Sequence, residues 1–283
     1  MFVRVEMGRV CMKYVRIIIV ILFICICGAF GWTQYLNTKK DVTPPVITSE
    51  IEELHINATL DATALRQGLT ATDDRDGDLT DEILVGKISR FSEKGVCTVE
   101  YVVFDHSNNV TTFERKVFFD NYDSPKLTLS QPLMYSMNGT VTIFDRLSVN
   151  DMLDGNINDK LKIVSDNVDV LLEGTYELEV EATNSCGDTT HIILPVNIVP
   201  NDVDAPKIYL DTYLVYVKKG ELFDPKSHIT EVFDKNQKAI GKEQVVITSY
   251  ADLSVSGCYQ YKFEVTDEKG VQGSTYLVVI VEE

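Results

Sequence analysis

Three stretches of the chain alternate apolar and polar residues in the same phase. Every second residue after Gly95 gives Cys97, Val99, Tyr101, Val103 and Asp105. Gly174 opens the same series with Tyr176, Leu178, Val180, Ala182 and Asn184, and Gly257 with Tyr259, Tyr261, Phe263, Val265 and Asp267. The other register is mostly polar: Thr98 and Glu100; Glu177, Glu179 and Glu181; Gln260, Lys262 and Glu264. A period of two puts one face of a strand in a core and the other in water. The closing Asp or Asn suits a turn, because its short side chain bonds the nearby backbone. Each stretch therefore predicts a strand, a turn and a second strand, with Val99, Tyr101, Leu178, Val180, Tyr261 and Phe263 buried and Glu100, Glu179 and Lys262 exposed.

The hairpins belong to a longer repeat. Pro45, Pro125 and Pro206 stand 80 and 81 residues apart, each ahead of a short apolar run, and the glycines stand 79 and 83 apart. A period near 80 is too long for a solenoid unit and fits a small independent β-domain. Strand-rich patterning with no amphipathic helix after residue 44 predicts an all-β protein: three tandem immunoglobulin-like β-sandwich modules of about seven strands each. The expected bounds are 44–121, 122–202 and 203–283. The joints D-N-Y-D-S-P and N-D-V-D-A-P are short, acidic and proline-stiffened, as in linkers that restrict bending.

Ahead of the modules the pattern changes. Residues 1–16 carry Arg4, Arg9, Lys13 and Arg16, and every residue from Ile17 to Trp32 is apolar or glycine. Residues 17–36 predict a helix long enough to cross a hydrocarbon core of about 30 Å. Trp32 and Tyr35 suit an interface, Lys39 and Lys40 end the run, and residues 37–43 read as a stalk. The charge bias favours a cytoplasmic N-terminus and external modules. A cleaved signal peptide uses the same charges and apolar run, with Cys27-Gly28-Ala29 as a poor cleavage match.

Charge and cysteine content narrow the function classes. The chain has 283 residues and a net charge of −17, and residues 1–40 hold six basic residues and one acidic. The remainder sets 20 basic residues against 42 acidic ones, a surface that argues against nucleic acid and suits divalent cations. Cys97, Cys186 and Cys258 fall one to a module, so no bridge forms within a module and packed cores must hold the fold.

The densest chemistry is acidic. Asp73, Asp74, Asp76, Asp78, Asp81 and Glu82 place six carboxylates in ten residues. Calcium takes six to eight oxygens, which makes this loop a candidate calcium site and calcium the only candidate cofactor. The same residues also suit a solvated turn, with Asp-Gly shaping the backbone and Leu79 and Ile83 as buried anchors. The second module repeats the layout loosely at Asp151, Asp154 and Asp159, and the third has Asp234-Lys235-Asn236 there. Joint residues Asp120, Asp123, Asp202 and Asp204 form a second acidic set.

Taken together, Ala71, Asp73, Asp76, Gly77, Asp78, Leu79, Thr80, Gly95, Tyr101, Asp105 and Asn109 follow the order A-x-D-x-x-D-G-D-L-T, then G-x-Y-x-V-x-Y-x-x-x-D-x-x-x-N. This order resembles the bacterial immunoglobulin-like surface-protein repeats, the family associated with insecticidal crystal proteins. The resemblance covers nearly everything outside the apolar segment. The second module has Asn184 for the hairpin aspartate, and the third lacks D-G-D-L-T. The resemblance implies a fold and a bacterial cell-surface setting but no activity.

No enzyme is expected. His55, His106, His191 and His228 are scattered, and Cys186 has no paired base nearby in sequence. The expected partners are the membrane, through residues 17–36, and an unknown surface protein or cell-wall glycan, in a structural or adhesive role. The alternative is an envelope carbohydrate-binding accessory protein. A glycan platform needs exposed aromatics, and the modules hold no Trp, leaving Tyr122, Tyr135, Tyr209, Tyr213 and Tyr216 as candidates.

Overall fold

A computed structural model describes residues 2–283, with side chains for 14–35 and 40–283. The first element, α1 (Phe2–Lys39), takes in the basic stretch as well as the apolar run. Its segment Tyr14–Tyr35 has a mean hydropathy of 2.5, long and apolar enough to cross a membrane as an anchor or a signal segment. The side chains of Arg4, Arg9, Lys13 and Lys39 lie outside the described residues.

Beyond α1 the chain is built of strands, apart from one helical turn at Ala62–Leu65 and short 3-10 turns, and one topology recurs. The strands begin with β1 (Val46–Ser49), β2 (Glu53–Ile56), β3 (Leu69–Asp73) and β4 (Gly77–Asp78). They continue with β5 (Leu84–Ile88), β6 (Val96–Phe104) and β7 (Val110–Phe119). These form two sheets in the orders β1-β3-β4 and β2-β7-β6-β5. The second set is β8 (Lys126–Leu129), β9 (Met134–Ser136), β10 (Leu147–Asp151), β11 (Gly155–Asn156), β12 (Lys162–Asp166), β13 (Gly174–Thr183) and β14 (Thr189–Val199). Its sheets are β11-β10-β8 and β12-β13-β14-β9. The third is β15 (Lys207–Leu210), β16 (Leu214–Lys218), β17 (Ile229–Phe233), β18 (Val246–Ser249), β19 (Gly257–Thr266) and β20 (Gln272–Glu282), in the orders β15-β17 and β16-β20-β19-β18. In each set the first strand lies antiparallel to the third-strand equivalent, and the second runs parallel to the last, as in β2–β7, β9–β14 and β16–β20. In the second and third sets the chain thus crosses from one sheet to the other within its first dozen residues, which closes a sandwich over an apolar core.

The compact units of the chain do not follow the repeat. One comprises Met1–Ile51, Gly68–Gly86 and Glu100–Glu114, and the other Glu52–Gln67, Lys87–Val99 and Arg115–Glu283. The second and third β-sets lie wholly in the latter.

The hairpin phase is the one that alternation dictates. Cys97, Val99, Tyr101, Val103 and Asp105 are buried, as are Leu178, Val180, Ala182 and Asn184, and then Phe263 and Val265. Two details differ from expectation. Tyr261 is half-buried, its ring 5.6 Å from Phe223. Glu100, Glu179 and Lys262 are also half-buried, because neighbours on the polar face cover them. Glu179 accepts from Ser165 Oγ and lies 2.7 Å from His191 Nε2, and Lys262 Nζ lies 2.7 Å from Glu264.

The second and third sandwiches share apolar packing. The cluster built on Leu127, Val149, Leu178, Leu194 and Ile198 continues into Leu214, Val278 and Ile280 of the third, with Tyr213, Tyr216 and Cys258 against it. Tyr216 Oη accepts from the Leu127 N–H at 2.7 Å, and Asn197 Nδ2 donates to Gln260 Oε1 at 3.0 Å. The acidic joint between these modules therefore does not act alone: side chains of both cores set their orientation.

Phe263→Ala should lower stability by about 3–5 kcal/mol, since it empties a fully enclosed site. Lys262→Ala should cost under about 1 kcal/mol, as partly exposed pairs do. Denaturant unfolding of both variants checks this, and equal losses would contradict the phase.

Candidate functional site

The acidic loop follows β3, and most of its carboxylates serve the fold. Asp73 Oδ1 accepts from the N–H groups of Arg75 (2.8 Å) and Asp76 (3.0 Å), a turn closed by the strand's last side chain. The Asp76 N–H, then that of Arg75, holds the Asp73 carboxyl below its ordinary pKa. Asp76 Oδ2 accepts from the His106 N–H at 2.8 Å and so ties the loop to the β6–β7 turn. Asp78 Oδ1 accepts from the Thr80 N–H at 2.9 Å, and the hydroxyl of Thr80, then its N–H, holds that carboxyl low. The same hydroxyl accepts from the Ala71 N–H at 3.1 Å. Leu79 and Ile83 are buried, whereas Asp74, Asp81 and Glu82 face solvent. Gly77 sits at φ +79°, a conformation L side chains avoid.

The second module repeats this wiring. Asp151 Oδ1 accepts from Leu153 and Asp154 N–H, both at 2.9 Å, and Asp154 Oδ2 accepts from Ser185 N–H at 2.6 Å. Asn158 Oδ1 accepts from Val149 N–H at 2.7 Å where Thr80 serves in the first module, and Gly155 has φ +71°.

Of the six loop carboxylates, only Asp73 joins a group of ligating side chains among the described residues. Its companions are Asp41 and Asp105, and one carboxylate oxygen from each lies within 4.8 Å of the other two. All three are buried, Asp41 to 4% exposure, Asp105 to 5% and Asp73 to 9%. Asp41 falls in the segment expected to be a free stalk. It is buried because its Oδ1 accepts from Thr43 N–H at 3.0 Å, and Asn109 Nδ2 reaches the carbonyls of Asp41 and Thr43, each at 3.3 Å. Asp105 Oδ1 accepts from Ser107 and Asn109 N–H at 2.9 and 2.7 Å, and its Oδ2 accepts from Asn109 Nδ2 at 2.6 Å. Arg75 Nε lies 3.6 Å from Asp41 Oδ2. Asp73 Oδ2 is buried with no hydrogen-bond partner.

Asp105 ends the hairpin alternation and was legible as a turn residue. Asp41 carried no signal beyond its place four residues before Pro45, matching Asn121 before Pro125.

His106 is 69% exposed, with Nδ1 3.1 Å from Asp76 Oδ1. Cys186 is buried, and that burial raises its pKa; burial, then Cys186 nearby, pushes the Cys97 thiol up to about 12. Both stay thiols at neutral pH, which makes them weak nucleophiles. Among the tyrosines considered for a glycan platform, Tyr122 and Tyr135 are buried and Tyr213 and Tyr216 half-buried in the packing described above. Tyr209 alone is exposed. Tyr122 Oη bonds Asp188 Oδ2 at 2.8 Å and Asp151 Oδ2 at 3.4 Å and accepts from Asn184 Nδ2 at 2.8 Å. Burial, then Asp188, raises its pKa. A groove of about 720 Å³ at the second–third junction is lined by residues including Tyr176, His191, Tyr259 and Gln260.

No family model matches the chain. A curated relative is the pesticidal crystal protein Cry22Aa of Bacillus thuringiensis, 27% identical over 245 residues, which cover 84% of this chain and 33% of the relative. The chain therefore spans about a third of that protein. Solved structures with local likeness include Drosophila N-cadherin EC1-3, at 15% identity and TM-score 0.29, covering 86% of this chain and 91% of that one. Another holds the M60 catalytic domain with the CBM51-1 and CBM51-2 domains of Clostridium perfringens ZmpB, at 13% identity and TM-score 0.24, covering 85% and 31%. At these scores the likeness carries no argument about this chain.

Tyr122→Phe should destabilise the protein by about 1–3 kcal/mol, because it strips a buried donor from Asp188 and Asp151. Thermal melting checks this, and an unchanged midpoint would show that the hydroxyl is not needed there.

Proposed function

We propose that the chain is a membrane-anchored protein of the bacterial cell surface, without catalytic activity. Its immunoglobulin-like modules stand outside the cell in a structural, adhesive or ligand-presenting role. The observation that carries this reading is the apolar packing shared by the second and third modules, with Leu214, Val278 and Ile280 inside the cluster of the second. Packing of that kind fixes a composite surface over two modules, which suits presentation of a face to a macromolecular partner. The apolar segment Tyr14–Tyr35, with basic residues concentrated before it, supports an uncleaved anchor and a cytoplasmic N-terminus. Each histidine lies against a carboxylate: His55 with Asp120, His106 with Asp76, His191 with Glu179 and His228 with Asp211. These pairs sit at four separate positions, three histidines exposed and His228 half-buried, as expected of structural contacts. The protein-binding reading is favoured over a glycan platform because four of the five candidate tyrosines are wholly or half buried. The named activity of the crystal-protein relative is not carried over to a chain spanning a third of it.

Protease added to intact bacteria expressing the full chain should digest the modules and leave a small membrane-embedded fragment. Protected modules would contradict the topology. Release of intact modules into the medium without protease would support the cleaved-signal reading instead.

A further inference from the structure

The three modules solve one electrostatic problem in three ways. Each places an aspartate at the end of its third-strand equivalent: Asp73 and Asp151 as the last strand residue, and Asp234 directly after it. In each, Oδ1 is committed to backbone N–H groups of its own turn. The second oxygen must be met by something. In the second module, neutral donors meet it: Asn184 Nδ2 donates to Asp151 Oδ2 at 3.1 Å, and Tyr122 Oη lies 3.4 Å away. In the third, Asp234 is only half-buried, so solvent reaches its carboxylate, and a lysine answers the carboxylates around it. Lys235 Nζ lies 3.0 Å from Asp204, and Asp267 and Asp202 also act on its charge. In the first module Asp105 replaces the Asn184 amide and Val42 stands where Tyr122 stands, each three residues before its proline. Both neutral donors are lost, and a further carboxylate arrives.

The result is three buried carboxylates converging from three separate segments. Asn109 Nδ2, with two hydrogens, already faces three acceptors: Asp105 Oδ2 and the Asp41 and Thr43 carbonyls. Arg75 contacts the edge of the set at Asp41. Counting Arg75 in full, the group still carries two uncompensated negative charges. Asp73 Oδ2, the counterpart of the twice-contacted Asp151 Oδ2, has no partner. Buried charge beyond what hydrogen bonds and Arg75 answer is unfavourable unless an ion is bound or protons are taken up.

The geometry points to a divalent-cation site formed by Asp41, Asp73 and Asp105, and to calcium as its ion. Two oxygens on one calcium can be no more than about 4.6–5.2 Å apart, at bond lengths of 2.3–2.6 Å, so oxygens within 4.8 Å of one another can share one ion. The group contains no His or Cys, which disfavours zinc. An all-oxygen set of three carboxylates beside backbone carbonyls suits the irregular, many-oxygen coordination of calcium better than the strict octahedron of magnesium. The site differs from the exposed loop: of the six loop carboxylates it uses Asp73 alone. It does not depend on where the modules are displayed.

The test is calcium titration of the full chain in detergent micelles by calorimetry, at fixed ionic strength and with magnesium as competitor. One calcium per chain should bind, with a dissociation constant in the range of about 10⁻⁴–10⁻³ M or tighter. Asp41→Asn and Asp105→Asn should each weaken it at least about tenfold, since ligand charge sets affinity. Asp105→Asn installs the residue the second module has, so the fold should accept it, and far-ultraviolet circular dichroism verifies that. Asp74→Asn and Asp81→Asn should leave binding unchanged. No saturable binding by 10 mM calcium would overturn the site. So would binding that survives both triad variants, or binding lost with the two loop variants, or equal competition by magnesium.

Discussion

A carboxylate buried at the end of a β-sandwich organises the turns of this protein. Its first oxygen closes a backbone turn, fixing where the third strand stops and how the chain enters the next segment. The aspartate three residues on, Asp76 or Asp154, then reaches across to the hairpin between the last two strands. Two carboxylates thus lock the loop to the hairpin in the first and second modules, and neighbouring residues must answer the charge that remains. Around Asp151, Tyr122 and Asn184 do so, and Tyr122 belongs to the joint itself. The interaction that satisfies the buried charge therefore also seats the joint on the module that follows it.

Apolar packing supplies the complementary constraint between the second and third modules. The last strand of the second sandwich runs next to β19 of the third, and Asn197 and Gln260 exchange amide hydrogen bonds beside the shared cluster. A joint of polar residues alone would leave the modules free to reorient. Here the proline-stiffened linker and the packed side chains agree, so the composite face is fixed by cores rather than by linker stiffness. The proposed role in presenting a surface to a partner rests on that agreement.

The hairpins were legible because alternation over ten residues leaves one register for a strand with one buried face. Phe263, Tyr101 and Leu178 fall inside for that reason. What alternation does not reveal is the coverage of the polar face: Glu179 is half-buried because His191 and Ser165 lie over it, a cross-strand contact invisible without register. The acidic loop illustrates the opposite problem. Six adjacent carboxylates suggest a local site, yet Asp76 and Asp78 are used as hydrogen-bond acceptors for the turn, and three others point to water. The oxygens that do converge come from positions 41, 73 and 105, which only the folded topology brings together. Tyr122 and Tyr135 lie inside for a related reason, since a tyrosine in a polar context can bury its ring and keep its hydroxyl hydrogen-bonded.

At the proposed Asp41–Asp73–Asp105 site, charge that the chain leaves unanswered is met by an ion. Melting the full chain and its Asp105→Asn variant, with calcium and with chelator, tests it most directly. The new amide should donate to the neighbouring carboxylate as Asn184 does to Asp151, while a charge is removed. In chelator the variant should therefore melt above the unsubstituted chain. In millimolar calcium the order should reverse, because ion binding to the folded state stabilises only the chain that retains the site. A variant that melts lower in both conditions by the same amount would show that Asp105 is an ordinary structural acceptor and that no ion is needed.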